Sequence, residues 1–551
     1  MGTSKGHGIT FPLVLAVLVT VIGSTFQYGY NIAVMNGPAK LMQAYFFEGE
    51  EAIMDTSSNI SATRVPSYTS YVTQQLIAEN ETNIQNVTNL VVFTNSYTEA
   101  GPQENNLQET ETIVLTSSEK FLWAFTVSIY TVGGMIGSFS TGICVKKFGR
   151  KGALLASNSL SIVGAILMGT SKAANSLEMI IIARFLLGIF AGLATGIVPL
   201  YLGEISPKRI RGGLGVVNQL SITIGILCAQ LLSLKEALGT AELWPVLLAF
   251  TGVPSVIQLC VLPFLPESPR CLLIDKDRED LARKALIFFR PTPDVGDEIR
   301  EMREEARAES ATEQQTVIMV IKDKTVRWQL LSVVFIQFTQ QLCGINAIFF
   351  YLNTIFEAAG VAGDAQNYAS VGVGTVNVFM TVISVLLMDR LGRKLLLAGG
   401  YAVAGLFCII MTIALNLQDQ ISWISNLSIA CVIGFIIGFA VGPGPVPWIL
   451  TAELFRQSSR PAASAIGCGV NWTFNFALAL VFPFMQDGMG PYVFIFFLFI
   501  CVIATAYVII IIPETKGKTF QEINGLFAKR NNVKLSDVEM EESTRHIVRE
   551  Q

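Results

Sequence analysis

At 551 residues, the chain is 51% hydrophobic and only 15% charged, with a mean hydropathy of +0.52; this is too apolar for an ordinary soluble protein, so most of it must sit in lipid. A formal net charge of -4 and a pI near 5.6 offer no basic surface for nucleic acid. The two histidines, His7 and His546, stand in polar terminal tails, so a histidine-based catalytic or metal centre has no place to form, and nothing in the chain calls for a cofactor.

A bilayer core takes about 20 apolar residues as a helix. Segments of that kind fall at 11–34, 120–143, 152–170, 178–202, 213–235 and 242–264, and after a charged interruption at 329–352, 366–388, 395–416, 426–450, 461–484 and 491–513. The expected fold is therefore an all-α membrane protein with twelve transmembrane helices in two six-helix bundles. The first bundle takes residues 1–265 and the second 327–513, followed by a tail at 514–551. The first span is too long for a signal-peptide core and runs through Gln27, Tyr28 and Tyr30 without a cleavage site, so it reads as retained. The loop 36–118 is rich in Asn, Ser, Thr and Glu and carries sequons at Asn59, Asn80 and Asn86, which are expected to be glycosylated. Residues 266–326 are highly charged, with helical patterning that suits short amphipathic helices; an unstructured solvated linker is the equally weighted alternative. Eight of the nine cysteines lie in apolar stretches and Cys271 just beyond one, so they read as packing residues.

Lys and Arg concentrate in alternate short connections: Lys146, Lys147, Arg150 and Lys151; Lys208, Arg209 and Arg211; Arg390, Arg393 and Lys394; Arg456 and Arg460. These connections belong in the cytosol, which puts both termini there and the sequon-bearing loop outside, as in a multi-pass protein of the plasma membrane.

The halves echo each other. Phe148-Gly149-Arg150-Lys151 after span two matches Leu391-Gly392-Arg393-Lys394 after span eight. Glu204 and Arg211 are seven residues apart, as are Glu453 and Arg460, and Pro266-Glu267-Ser268 matches Pro513-Glu514-Thr515. Acids and arginines at matched places suggest ion pairs between the bundles, a cytosolic gate of Arg150, Glu204, Arg211, Glu267, Arg393, Glu453, Arg460 and Glu514 that opens and closes in alternating access.

Inside the spans charge is sparse, Arg184 being the clearest case, and it heads a Gly188, Gly192, Gly196 ladder that favours a packing role. A proton- or sodium-coupled carrier needs an intramembrane carboxylate, and spans one, five, seven, ten and eleven have none at mid-depth. What they hold is amides: Asn31, Asn218, Gln219, Gln230, Gln340, Gln341, Asn346, Asn377, Asn471 and Asn475. An amide donates and accepts at once, as does a sugar hydroxyl, so the cluster suits a neutral polyhydroxyl ligand, although any single amide is more often helix-to-helix glue. Tyr28, Phe350, Tyr351, Phe439, Trp448 and Trp472 add flat faces. The run Gly442-Pro443-Gly444-Pro445-Val446-Pro447 must break span ten, and broken helices in transporters line the cavity.

Together these residues resemble the facilitative glucose transporter family of the major facilitator superfamily. The carrying motifs are PLYLGEISPKRIRG (199–212), PESPR (266–270), QQLCGINAIFFY (340–351), GPGPVPW (442–448), NWTFNF (471–476) and PETKGKTF (513–520). FQYGYN (26–31) and the C-terminal motif look closest to the fructose-transporting branch. The resemblance implies uniport of a hexose, glucose or fructose, with no obligate protein partner beyond the surrounding lipid. Its sugar site would use Tyr28, Gln219, Ile222, Ile226, Gln340, Gln341, Asn346, Asn377, Trp448 and Asn475. Proton-coupled members carry an aspartate where this chain has Asn31. Departures are Lys146 in the first-half motif, Ala440 where glucose-selective members have glutamate, Phe350 where they have tyrosine, and Trp448 and Phe439 where the fructose branch often differs. Transport of urate or a polyol, and a transport-poor sugar sensor, are the competing readings.

Overall fold

The computed structural model describes residues 10–48, 115–207, 211–290, 292–310, 315–361, 365–418, 420, 423–456, 458–518 and 520–531. The sequons at Asn59, Asn80 and Asn86 and both histidines lie outside these residues. Among the described residues nine helices are long and apolar enough to cross a membrane, and two of these are double-length.

The first half comprises α1 (Phe11–Ala33), α2 (Ser117–Thr170), α3 (Leu177–Ile205), α4 (Arg211–Leu232) and α5 (Trp244–Phe264). α2 opens on a capping box, in which Thr116 and Glu119 satisfy each other's backbone N–H groups. It folds back on itself at Gly149, whose φ of 78° is a left-handed conformation that only glycine adopts without strain. Spans two and three are therefore two helical limbs joined through a single non-helical residue, where the sequence suggested a short loop. Glycines let backbones meet: a Cβ on Gly188 or Gly192 of α3 would strike the α2 main chain, and one on Gly29 of α1 or Gly225 of α4 would strike the other helix's carbonyl. This bears out the packing role of the α3 ladder.

Between the halves lie α6 (Glu279–Phe289), α7 (Gly296–Ser310) and α8 (Val317–Lys322). Leu272, Ala285, Leu286, Val295 and Ile299 form a small apolar core of their own there, and Arg290 pairs with Glu298 at 2.5 Å and Arg303 with Glu279 at 2.6 Å. Short amphipathic helices, rather than a solvated linker, thus fill this segment.

The second half comprises α9 (Lys324–Phe350), α10 (Leu352–Ala358), α11 (Ala365–Leu391), α12 (Arg393–Leu417), α13 (Ile424–Val441), α14 (Val446–Leu454), α15 (Arg460–Met489) and α16 (Val493–Ile510). Gly392, with φ of 86°, joins α11 to α12 as Gly149 joins the limbs of α2. The break expected at Gly442–Pro447 separates α13 from α14. A second break, absent from the sequence reading, falls in α9 at Gly344, with φ of 107° and the Phe497 ring packed against it. The final helix, α17 (Phe520–Asn531), seats Ile523 and Phe527 in an apolar cluster with Val326, Leu454 and Ala463. Asn531 fastens it to the start of α9 through Thr325 O at 2.6 Å and Gln329 Oε1 at 2.9 Å.

Candidate functional site

The middle of the second half holds an amide network. Gln340, in α9, donates to the carbonyls of Pro443 and Gly444 at 2.8 and 2.9 Å, two acceptors that the proline-rich break leaves without helical partners. Its own carbonyl accepts from Asn471 of α15 at 2.7 Å, and Asn471 also donates to Gln337 at 2.8 Å. Gln340 therefore ties α9, the α13–α14 break and α15 together. Its side-chain amide, read from the sequence as a sugar ligand, is fully engaged by protein in this conformation. Gln341 and Asn346, on either side of the Gly344 break, hydrogen-bond each other.

Other predicted site residues are placed as follows. Asn475 lies one turn beyond Asn471 on α15 and is 5% exposed. Gln219, Ile222 and Ile226 follow one another at helical spacing along α4. Asn377 is buried on α11, three residues from Gly374, whose backbone closely approaches the Gln230 amide of α4. Trp448 stands near the start of α14 and is 44% exposed. Tyr28 of α1 packs against Trp472 of α15, ring centroids 5.9 Å apart. Trp472 reaches across to α2, where its Nε1 donates to Ser138 at 3.0 Å and its ring fills the space left by Gly134.

Several buried polar atoms have no protein hydrogen-bond partner: Asn218 Oδ1, Gln230 Oε1, Gln337 Nε2 and Asn475 Oδ1. These four are amide atoms of α4, α9 and α15; the Nε atoms of Arg150 and Arg184, in α2 and α3, are buried without a partner as well. Such atoms carry a desolvation cost of about 1–3 kcal/mol each unless water or a ligand meets them. Gln337 was missed in the sequence reading; its spacing of three residues before Gln340 was the available signal.

The charged motifs gather at the ends of the helices. Arg150 donates to Glu204 at 2.9 Å and to Asp275, and Glu204 also accepts from the Ser268 hydroxyl. In the second half Arg393 pairs with Glu453 at 3.1 Å, and Glu453 accepts from Thr515. These pairs close within a half, not between halves as the sequence suggested: the matched spacings reflect an internal repeat of one local structure. Asp275 was missed and has no counterpart in the repeated motifs. Burial pulls the Arg150 guanidinium down, but Glu204 and Asp275 outweigh it and hold its pKa above the usual value; burial raises that of Glu204.

The glutamates of the third echo cap the helices that follow the glycine reversals. Glu267 accepts from Lys151 N at 2.9 Å; Glu514 accepts from Arg393 N at 3.0 Å and Lys394 N at 3.1 Å. A carboxylate at a helix N-terminus meets both unpaired N–H groups and the positive end of the dipole. Burial raises the Glu514 pKa, but backbone N–H donors from Lys516, Arg393, Lys394 and Thr515 bring it below the usual carboxylate range. Arg460 is exposed and reaches only the Phe455 carbonyl, at 3.4 Å; the side chain of Arg211 lies outside the described residues.

Apart from the Trp472–Ser138 hydrogen bond, polar contacts between the halves gather at the opposite end. Lys40 pairs with Glu357 at 2.6 Å, Lys120 with Asp487, Tyr368 donates to Glu236 at 2.8 Å and Asn353 N to Asn36 at 3.1 Å.

Paired apolar helices, a helix broken at mid-depth and a motif repeated in each half define a multi-pass membrane carrier of the major facilitator fold. Its likeness to solved structures agrees: the partially occluded inward-open xylose transporter XylE from E. coli matches over 93% of this chain and 100% of its own, with a TM-score of 0.68 at 20% identity. The proton:xylose symporter XylE bound to 6-bromo-6-deoxy-D-glucose matches over 93% and 98%, with a TM-score of 0.67 at 21% identity. The family profile described as Sugar (and other) transporter covers residues 16–527, and the chain belongs to that family. Among its relatives, solute carrier family 2, facilitated glucose transporter member 5 of Homo sapiens is 44% identical over 96% of this chain and 94% of that protein. Member 7 of Mus musculus is 40% identical over 95% and 92%.

Proposed function

We propose that the protein is a hexose uniporter of the plasma membrane, carrying glucose, fructose or both by alternating access between two six-helix bundles of twelve spans. The observation that carries this reading is the set of uncharged, unpartnered amide atoms on α4, α9 and α15. They offer both donors and acceptors to a neutral hydroxylated ligand, and the facilitated glucose transporters at 40–44% identity supply the substrate class. A sugar meeting Asn475 and Gln337 would relieve the cost of burying those two unpartnered atoms, with Gln340 positioning the broken helix beside them. Uniport is favoured by the surroundings of α1: Asn31 donates to Gln27 O and Thr251, while Arg184 donates to the carbonyls of Asn31 and Val127, so the buried cation is held by main chain and not by a titratable carboxylate. In this reading the end bearing the glycine reversals faces the cytosol with both termini, and the sequon loop is exofacial and glycosylated.

The test is uptake of labelled glucose and fructose by proteoliposomes without any ion gradient, with Asn475→Ala alongside. Saturable uptake of either sugar that the variant weakens at least tenfold establishes uniport and its substrate. Absence of uptake of both sugars by folded protein overturns the hexose assignment and turns the search to polyols and urate.

A further inference from the structure

Outside the amide site, a groove of about 400 Å³ runs between α12 and α16 at the end that bears the glycine reversals. Its walls are Leu395, Ala398, Gly399 and Ala402 on α12 and Thr505 and Ile509 on α16. The eight helical steps from Lys394 to Ala402 give it a length of about 12 Å at a rise of about 1.5 Å per residue. Small side chains make the trough: a Cβ on Gly399 would meet nothing within 4 Å. The Thr505 hydroxyl is turned back onto the Cys501 carbonyl at 2.8 Å, so the trough between the helices offers an apolar surface. Leu395 and Ile509, 58% and 55% exposed, flank it on the lipid-facing side.

Its mouth is cationic. Lys394 closes the groove and donates to Ile509 O at 2.8 Å, using one of the three donors of an ammonium. Arg390, Lys516 and Lys518 are exposed close by in sequence, and Lys516 Nζ bonds the Arg390 carbonyl at 2.9 Å. Glu514, also at the mouth, has its carboxylate occupied by the backbone N–H groups of Arg393, Lys394 and Lys516. The repeat in the first half differs: Lys151 donates to two carbonyls, Pro263 O and Leu265 O, each at 2.7 Å.

We infer that this groove binds one anionic phospholipid, its acyl chain lying along Gly399 and Ala402 and its headgroup on Arg390, Lys394 and Lys516. An apolar trough opening on a cluster of cations, in a multi-pass membrane protein, matches the two ends of such a lipid, and cations at a bilayer surface favour anionic over zwitterionic headgroups. Docked there, the lipid would splint α12 against α16.

Native mass spectrometry of the full chain, extracted from phosphatidylcholine bilayers containing a minority of phosphatidylserine, tests this. The parent should retain one phosphatidylserine in preference to phosphatidylcholine. Lys394→Gln and, separately, the exposed Arg390→Gln should each weaken retention about fivefold. Gly399→Leu, which adds a side chain into open space, should abolish it by filling the trough. Equal retention of phosphatidylserine by Gly399→Leu would reduce the effect to diffuse surface attraction and overturn the inference. So would equal retention of the two lipids by the parent, or displacement by inorganic phosphate, which would mark a phosphate site and not a lipid one.

Discussion

Two buried amides on the packed helices α9 and α15 carry different duties. Gln340 makes three hydrogen bonds, two to carbonyls that the proline break strands and one from Asn471. Gln340→Leu leaves those groups buried without partners and should destabilise the protein by roughly 3 kcal/mol, at about 1 kcal/mol for each lost bond. Asn475 Oδ1 has no protein partner, so Asn475→Ala should change the melting temperature little while uptake falls at least tenfold. Melting curves and initial uptake rates on both variants separate the roles; an equal loss of stability in both would mean that Asn475 is structural too. The sequence placed both amides within the spans but not their duties, because an amide facing a neighbouring helix and one facing a cavity have the same hydropathy and spacing.

At the scale of the helix, each half repeats one device: a glycine with φ of 78° or 86°, followed by a helix whose first turn is capped by a distant glutamate. Gly392→Ala forces an L-residue into the left-handed region, at a cost of about 1–2 kcal/mol, and places its Cβ 2.6 Å from Glu514 Oε2. Gly399→Ala, in open space on the same helix, is the control and should melt like the parent. The Glu514 cap carries a pH signature. Because its folded pKa is depressed, its contribution is fully present above the usual carboxylate range, near pH ~4.3, and is lost as pH falls through the depressed value. Melting temperatures taken downward from neutral pH should fall for the parent, and part of that fall should be missing in Glu514→Gln. Apolar runs made the spans legible in the sequence, and the Gly-Pro run made the α13–α14 break legible. The Gly344 break was hidden because it depends on the Phe497 ring, 153 residues away, packing where a side chain would stand. The glycine reversals were visible as repeated motifs, but their positive φ was not.

For the whole molecule, the central question is which contacts hold the halves together. The motif arginines and acids were expected to do so, yet Arg150 with Glu204 and Arg393 with Glu453 each stay within a half. Spacing along the chain reveals matched positions, but a pair closing within a bundle and one closing across bundles leave the same pattern. The contacts that do cross at the far end, Lys40 with Glu357 and Lys120 with Asp487 among them, come from helical residues with no repeated motif to announce them. If alternating access requires that end to part, these pairs favour the conformation seen here. Partly exposed ion pairs contribute about 0.2–1 kcal/mol each, so Lys40→Glu should shift the balance toward opening at that end by up to about fivefold, and Glu357→Lys likewise. Restoring opposite charges in the double variant should return the balance toward the parent. Labelling rates of a cysteine placed at Asn353, beside the Asn36 contact, by a membrane-impermeant thiol reagent would follow the opening. Faster labelling in both single variants and recovery in the double would establish the pair as a lock; unchanged labelling throughout would leave the pair as a surface contact and place closure in the apolar packing of α1 on α9.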